Sequence, residues 1–271
     1  LRSQAAAKYA ACFRTGFRAS LEYRSNFLLS LVSAIAPIAI QGALWIVLYG
    51  DDPSASLFGF SFEQMVAYTV IAQLVTRLTR AGFEYDLNGD IRSGSLDRYL
   101  VKPMSYMGFR LFSFLGDKAG QSALMGLLLA AALGALSLFF SFSLAPAALG
   151  LFLLSLLLAF VLNFLIFWCV GLSGFWLTEI GFLFEAARIT IVAVSGGILP
   201  LAVFGPAAER VLSLLPFRFT IQFPTELLTG RLGPADALRP FALALAWIAG
   251  LSVIGRLLWM RGLRRFAAVG S

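Results

Sequence analysis

The 271-residue chain is 59% hydrophobic and only 13% charged, with 21 Lys and Arg against 14 Asp and Glu and a formal net charge of +7. Soluble domains carry about 25% charged residues, so this composition marks an integral membrane protein, which the helix-length apolar runs below make all-α, and the basic excess reads as cytoplasmic flanks rather than a nucleic-acid surface. With no histidine and two cysteines, the chain excludes a histidine-based triad, an HExxH centre and a thiolate metal cage.

Residues 1–26 hold Arg2, Lys8, Arg14, Arg18 and Arg24 against Glu22 alone, while Tyr9, Phe13, Phe17 and Leu21 recur every fourth residue. This is the pattern of a basic amphipathic helix, lying in the inner headgroup layer or packed on the protein's own flank, and cytoplasmic in either case. The uncharged run Phe27–Tyr49 is long enough to cross about 30 Å of hydrocarbon and too long for the core of a cleavable signal peptide. Pro37 is expected to kink it. The next loop, Gly50 to Phe62, carries Asp51 and Asp52 and no Lys or Arg, which places it outside. Ser61-Phe-Glu-Gln64 reads as a capping box opening a second span from Glu63 to about Leu78. Beyond it, Arg80 and Glu84 stand one turn apart as an expected pair.

From Arg77 to Lys118 there are seven basic and five acidic residues, a cytoplasmic composition. Inside this stretch lies the most charged segment, 86–105. Gly94 and Pro103 bracket a helical pattern that Ser95 is placed to cap, with Leu96, Tyr99 and Leu100 on one face and Asp97, Arg98 and Lys102 on the other. A helix of two turns is not stable alone in water. It is either a docking element for a separate cytoplasmic protein or a surface turn of a solvated loop.

Ala119 to Thr178 contains no Asp, Glu, Lys or Arg. As one helix it would be about 90 Å long, so it must fold back. Ser141-Phe-Ser-Leu-Ala-Pro146 is the expected outer turn between a third span (119–140) and a fourth (147–175). Glu179, Glu185 and Arg188 form an inner connection, where Glu185 and Arg188 are candidates for a paired inner gate. A fifth span runs over about 186–199. From 200 to 239, Pro200, Pro206, Pro216, Pro224 and Pro234 cut the chain into pieces too short to cross, which suggests re-entrant half-helices in the outer leaflet. A sixth span, 240–258, ends in Arg256, Arg261, Arg264 and Arg265. Six spans leave both termini in the cytoplasm.

No GxxxxGK[ST] loop is present, and Gly116-Asp-Lys-Ala-Gly120 has the wrong spacing and flanks for a phosphate loop. No carboxylates converge within the spans to couple an ion gradient. The chain therefore forms a pathway without a visible energy source, which points to a motor partner that binds the ATP, this chain holding no cofactor and no metal. A self-contained secondary carrier or channel is the alternative, and would need coupling charges the spans lack. A membrane enzyme of lipid metabolism would need histidine or paired acids.

Several motifs then converge. Leu21-Glu-Tyr-Arg-Ser-Asn-Phe27, Asp90-Ile-Arg-Ser-Gly-Ser-Leu-Asp-Arg-Tyr-Leu-Val-Lys-Pro103, Leu162-Asn163-Phe164, Leu214-Leu-Pro-Phe217, Phe223-Pro224 and Leu258-Trp-Met-Arg-Gly-Leu-Arg-Arg265 follow in order along nearly the whole chain. In these the sequence resembles the permease subunits of type-2 ATP-binding-cassette exporters, the ABC type-2 family transporter proteins. The resemblance implies a six-helix subunit of the bacterial cytoplasmic membrane with an amphipathic elbow helix, a cytoplasmic coupling helix and re-entrant helices before the last span. It implies two ATPase subunits and a second permease, identical or related, as partners. The coupling role falls on Asp90, Ile91, Arg92, Ser93, Gly94, Leu96, Arg98, Leu100 and Pro103, with Leu96 and Leu100 plugging an apolar pocket of the ATPase while Arg92 and Arg98 meet its acids.

Overall fold

The computed structural model describes residues 2–22, 24–50, 56–139, 146–177 and 180–269. The N-terminal helices are α1 (Arg2–Glu22) and α2 (Arg24–Tyr49), followed by a two-stranded hairpin, β1 (Ser56–Leu57) and β2 (Phe60–Ser61). Then come α3 (Phe62–Thr79), α4 (Phe83–Arg92), α5 (Asp97–Leu100), α6 (Tyr106–Phe139) and α7 (Pro146–Gly171). The chain finishes with α8 (Gly181–Val194), α9 (Pro206–Leu212), α10 (Gln222–Leu228) and α11 (Leu238–Val269). Short 3-10 turns fill several gaps.

The capping box forms as the sequence requires: the Gln64 N–H donates to Ser61 Oγ at 3.3 Å and the Ser61 N–H to Gln64 Oε1 at 3.1 Å. α3 then stops at Thr79, and the non-helical residues 80–82 separate it from α4. That break removes the one-turn geometry expected for Arg80 and Glu84. Glu84 turns instead to Arg188, 104 residues away, at 2.5 Å.

Helix α7 is the centre of the bundle and packs against α3, α4, α6, α10 and α11. Its core is an aromatic column. Phe83 stacks on Phe164 at 4.5 Å, Trp168 lies 5.5 Å from Trp259, and Trp259 lies nearly parallel to Tyr106 at 5.6 Å. Glycines on α11 make the room: a Cβ on Gly255 would come 2.9 Å from the Trp168 ring, and one on Gly262 would fall 2.1 Å from that of Phe175.

The N-terminal helix is packed on the protein's own flank. α1 runs alongside α6 in the same direction, with Gly16 facing Ser113, Phe13 facing Gly116 and Ser20 facing Gly120. Tyr9 stacks on Phe112 at 5.0 Å. Gly116-Asp-Lys-Ala-Gly120 is thus a close-packing stripe, in which absent side chains let two backbones approach.

The chain is an all-α bundle apart from the small hairpin. The expected spans fall largely on helices α2, α3, α6, α7, α8 and α11, although α8 ends at Val194, short of the expected 199. Two stretches, Ala147–Phe175 and Pro234–Phe266, are long and apolar enough to cross a membrane among the described residues. A third results if Tyr106–Ala123 and Leu128–Ala135, bent by 45°, count as one span, and Ile35–Tyr49 is apolar but shorter. The apolar run of α3 is interrupted by Glu63, Gln73 and Arg77, and α8 at 14 residues spans only about 21 Å. The boundary expected at Ala119 is not a helix end: α6 begins at Tyr106, with Ser105 Oγ accepting the Gly108 N–H at 3.1 Å, and nothing breaks it before its polar first third is complete. Asp51, Asp52, Glu179 and the turn at 141–145 lie outside the described residues.

Residues 200–239 fold as short helical pieces around a polar heart. Gln222 accepts the Leu201 N–H at 3.0 Å and donates to Glu226, which also meets Arg218 at 2.7 Å. The frayed end of α8 is satisfied from α3: Tyr68 donates to the Gly196 carbonyl and Gln73 to that of Gly197. Arg231 reaches the hairpin, donating to the Gly59 carbonyl at 2.7 Å with its guanidinium 3.5 Å from the Phe60 ring centre.

Candidate functional site

The segment 86–105 folds as α4, a tight turn and α5. Gly94, at φ +71°, ends the first helix rather than opening the second. Ser93 stays helical at the cap, its N–H bonding back to the Gly89 carbonyl at 3.0 Å, and the Leu96 N–H reaches the Asp90 carbonyl at 3.1 Å. Ser95 therefore does not cap α5, which begins at Asp97 with no side-chain cap; its hydroxyl donates to Asp90 Oδ1 at 3.0 Å.

Asp90 is the hub of this turn. Its other oxygen accepts from the Tyr106 hydroxyl and from Arg110 Nη2, both at 2.5 Å, and Arg110 Nε donates to the same Tyr106 oxygen at 2.9 Å. Arg110 also bonds Asp86 at 3.2 Å. Burial raises the Asp90 carboxyl, but the hydrogen bonds from Tyr106 and Arg110 outweigh it and hold the group below the usual aspartate value. Lys8 of α1 donates to the Pro103 carbonyl at 3.4 Å, and the Tyr9 hydroxyl accepts the Ser105 N–H at 3.3 Å. The turn is thus tied to α4, α6 and α1 at once.

The structure sorts the nine expected coupling residues by direction. Ile91 and Leu96 point into the core of this chain, Asp90 is the hub and Gly94 makes the turn. Arg92, Ser93, Arg98, Leu100 and Pro103 are exposed. Leu96 is wholly buried against the chain's own helices, so it is not available to plug a pocket elsewhere. Its place on the surface is taken by Val101, 84% exposed, beside Leu100. Tyr99, flanked by the Tyr106 and Phe109 rings and covered by Lys102 Nζ at 4.6 Å, supports the exposed pair from beneath.

Glu185 and Arg188 do meet, at 3.7 Å, but the shorter bond of Arg188 goes to Glu84, which is completely buried. Tyr85 donates to Glu185. Two consecutive residues of α4 thereby grip α8. Burial pushes the Glu84 carboxyl up, and Arg188 offsets only part of that rise.

A family model described as ABC-2 family transporter protein matches residues 25–270. The chain belongs to this family. Its members are non-catalytic permeases, so this permease is a membrane transport component rather than an enzyme. No curated protein matches it. Sequence reasoning singled out the 86–105 segment but missed Tyr106, Arg110 and Val101. Arg110 carried a usable signal, being the one charged residue between Lys102 and Asp117. The bond between Glu84 and Arg188 had no sequence signal, because its partners, 104 residues apart, sit on α4 and α8, which both pack against α7.

Proposed function

We propose that this permease is the membrane subunit of an ATP-driven exporter in the bacterial cytoplasmic membrane, levered by two separate ATPase subunits and paired with a second permease, related or identical. Family membership supports the general role. The observation that carries the coupling reading is the exposed Leu100–Val101 pair, flanked by Arg98 and Lys102 and held on a turn whose base is fixed by Asp90. An apolar tip ringed by cations fits an apolar groove with an acidic rim.

In this reading α2, α3, α6, α7, α8 and α11 are the six spans, 200–239 is re-entrant in the outer leaflet, α1 lies along the inner surface, and the arginine-rich tail keeps the C-terminus inside. Closure of the ATPases pushes the turn, which passes the displacement to α6 through Asp90 and Arg110 and to α8 through Glu84 and Arg188. Glu185 and Arg188 then act at the inner mouth.

The test is affinity capture of the tagged permease from its native membrane. A soluble protein with a GxxxxGK[ST] loop and ATPase activity should copurify, and Leu100→Asp with Val101→Asp should reduce its recovery about tenfold, the loss of two anchors at a small interface. Capture that brings down no such ATPase, or that is indifferent to the double variant, overturns the coupling assignment.

A further inference from the structure

At the junction of α1, α3, α4 and α6 the described residues enclose a cavity of about 500 Å3. Arg77 and Arg80 stand at the C-terminal end of α3, Arg110 and Lys118 project from α6, and Asp86 and Asp117 are the only carboxylates in the lining. Positive charge therefore predominates. Arg110 is committed to Asp86 and Asp90, and Lys118 lies 3.9 Å from Asp117 and donates to Gln121 at 2.8 Å. Arg80 is exposed and has no salt bridge or hydrogen-bond partner among the described residues. An adjoining cavity of about 230 Å3 shares Arg77 and Arg80 and adds Arg188 to its wall.

A helix C-terminus favours one nearby cation. Arg77 and Arg80 repel each other, and among the described residues no carboxylate is bonded to Arg80, which Glu84 and Glu185 reach only through space, so an anion entering the cavity would find a guanidinium open to direct bonding. Arginine's planar fork suits phosphate oxygens, and basic pockets on the cytoplasmic side of membrane helices suit anionic headgroups. Phe83 and Phe114, edge to face at 5.6 Å, give the same cavity an apolar wall, which matches the glycerol and first methylenes of an amphiphile.

We infer that this cavity binds a phosphate-bearing anion through Arg80 and its neighbours. An anionic phospholipid headgroup and a soluble phosphate share that chemistry. Placement of the cavity at the inner leaflet rests on the orientation proposed above; its charge and shape do not.

The experiment uses the full-length chain in neutral detergent micelles, with binding read by native mass spectrometry and by thermal stabilisation. The probes are phosphatidylglycerol, phosphatidylcholine and inorganic phosphate. The proteins are wild type, Arg80→Gln, Arg80→Glu, and Arg210→Glu as a charge reversal on exposed α9. Phosphatidylglycerol should bind wild type and the Arg210 variant alike and phosphatidylcholine much less. Arg80→Glu should weaken phosphatidylglycerol binding about tenfold, with Arg80→Gln intermediate. If inorganic phosphate protects and displaces the lipid through Arg80, the site is supported and its ligand is the soluble phosphate. Equal binding of the two lipids, or equal loss in the Arg80 and Arg210 variants, overturns the assignment. Micelles have no sidedness, so an error in the proposed orientation leaves this result unchanged and appears separately, as a C-terminal tag accessible from outside sealed cells.

Discussion

Leu96 and Leu100 are one helical turn apart and end in opposite environments, the first wholly buried in this chain and the second 44% exposed. Spacing put both on one face. The face is split because α5 is a single turn, and its start leans on α4 and α6 while its end projects.

The two leucines should therefore separate stability from coupling. Leu96→Asp buries a carboxylate without a partner and should cost more than about 3 kcal/mol, read as a fall in thermal midpoint in detergent. Leu100→Asp should change stability by less than about 0.5 kcal/mol. Equal losses would mean that the exposed leucine is also structural.

Asp90→Asn should destabilise by about 3 kcal/mol, because it leaves the Arg110 guanidinium, 12% exposed, without its main counter-charge. The Asp90 carboxyl is held below its ordinary value of 3.8, so its contribution is fully present above that pH and is lost as the pH falls through the lower folded value. The advantage of wild type over Asp90→Asn should be constant from neutrality down to about pH 4 and shrink below it. Thermal midpoints measured for both proteins over that range provide the check.

Glu84 has the opposite dependence. Its carboxyl is raised above 4.5 by burial, so the fold favours the protonated form, and the group's contribution is greatest below that value and declines as the pH rises through the folded one. Wild type should lose ground to Glu84→Gln as the pH is raised from the acid side towards neutrality. Arg188→Ala should be far worse than Glu84→Gln at neutral pH, by about 2 kcal/mol or more, because it strands a fully buried carboxylate, whereas Arg188 freed of Glu84 keeps Glu185 at 3.7 Å. Denaturation midpoints of the two variants side by side decide this.

Glycine-to-alanine exchanges in α6 should change sign with position. A Cβ on Gly116 would fall 2.0 Å from the Phe13 carbonyl oxygen, whereas nothing lies within 4 Å of one on Gly126 or Gly134. Helix propensity alone favours alanine by up to about 1 kcal/mol, so the open sites should be neutral or stabilised. At Gly116 the clash prevails and α1 should lift away. Increased labelling of Cys12, half-buried in the wild type, by a thiol reagent measures the separation.

Most of the helical framework was legible in the sequence because long uncharged runs and their charged ends record the solvent on each side. The amphipathic start and the Ser61 capping box were readable for local reasons, whereas Gly94, read as opening a helix, ends one. What could not be read was direction within short elements and pairing at a distance. Nothing at Glu84 names Arg188, and nothing at Phe60 names Arg231. The Gly116–Gly120 stripe looked like a failed phosphate loop because spacing alone does not say whether a missing side chain makes way for a ligand or for another helix. The 86–105 segment was legible as a short helical stretch rich in charge, and its inner geometry was not.

A single carboxylate at Asp90 joins α4, the turn and α6. The consequence is mechanical. Such a knot has little compliance: the tip cannot swing on a soft hinge of its own without first breaking charge-assisted bonds. In the proposed coupling, work done on the tip would therefore not be dissipated in bending the loop and would arrive at the foot of α6, against which α1 packs.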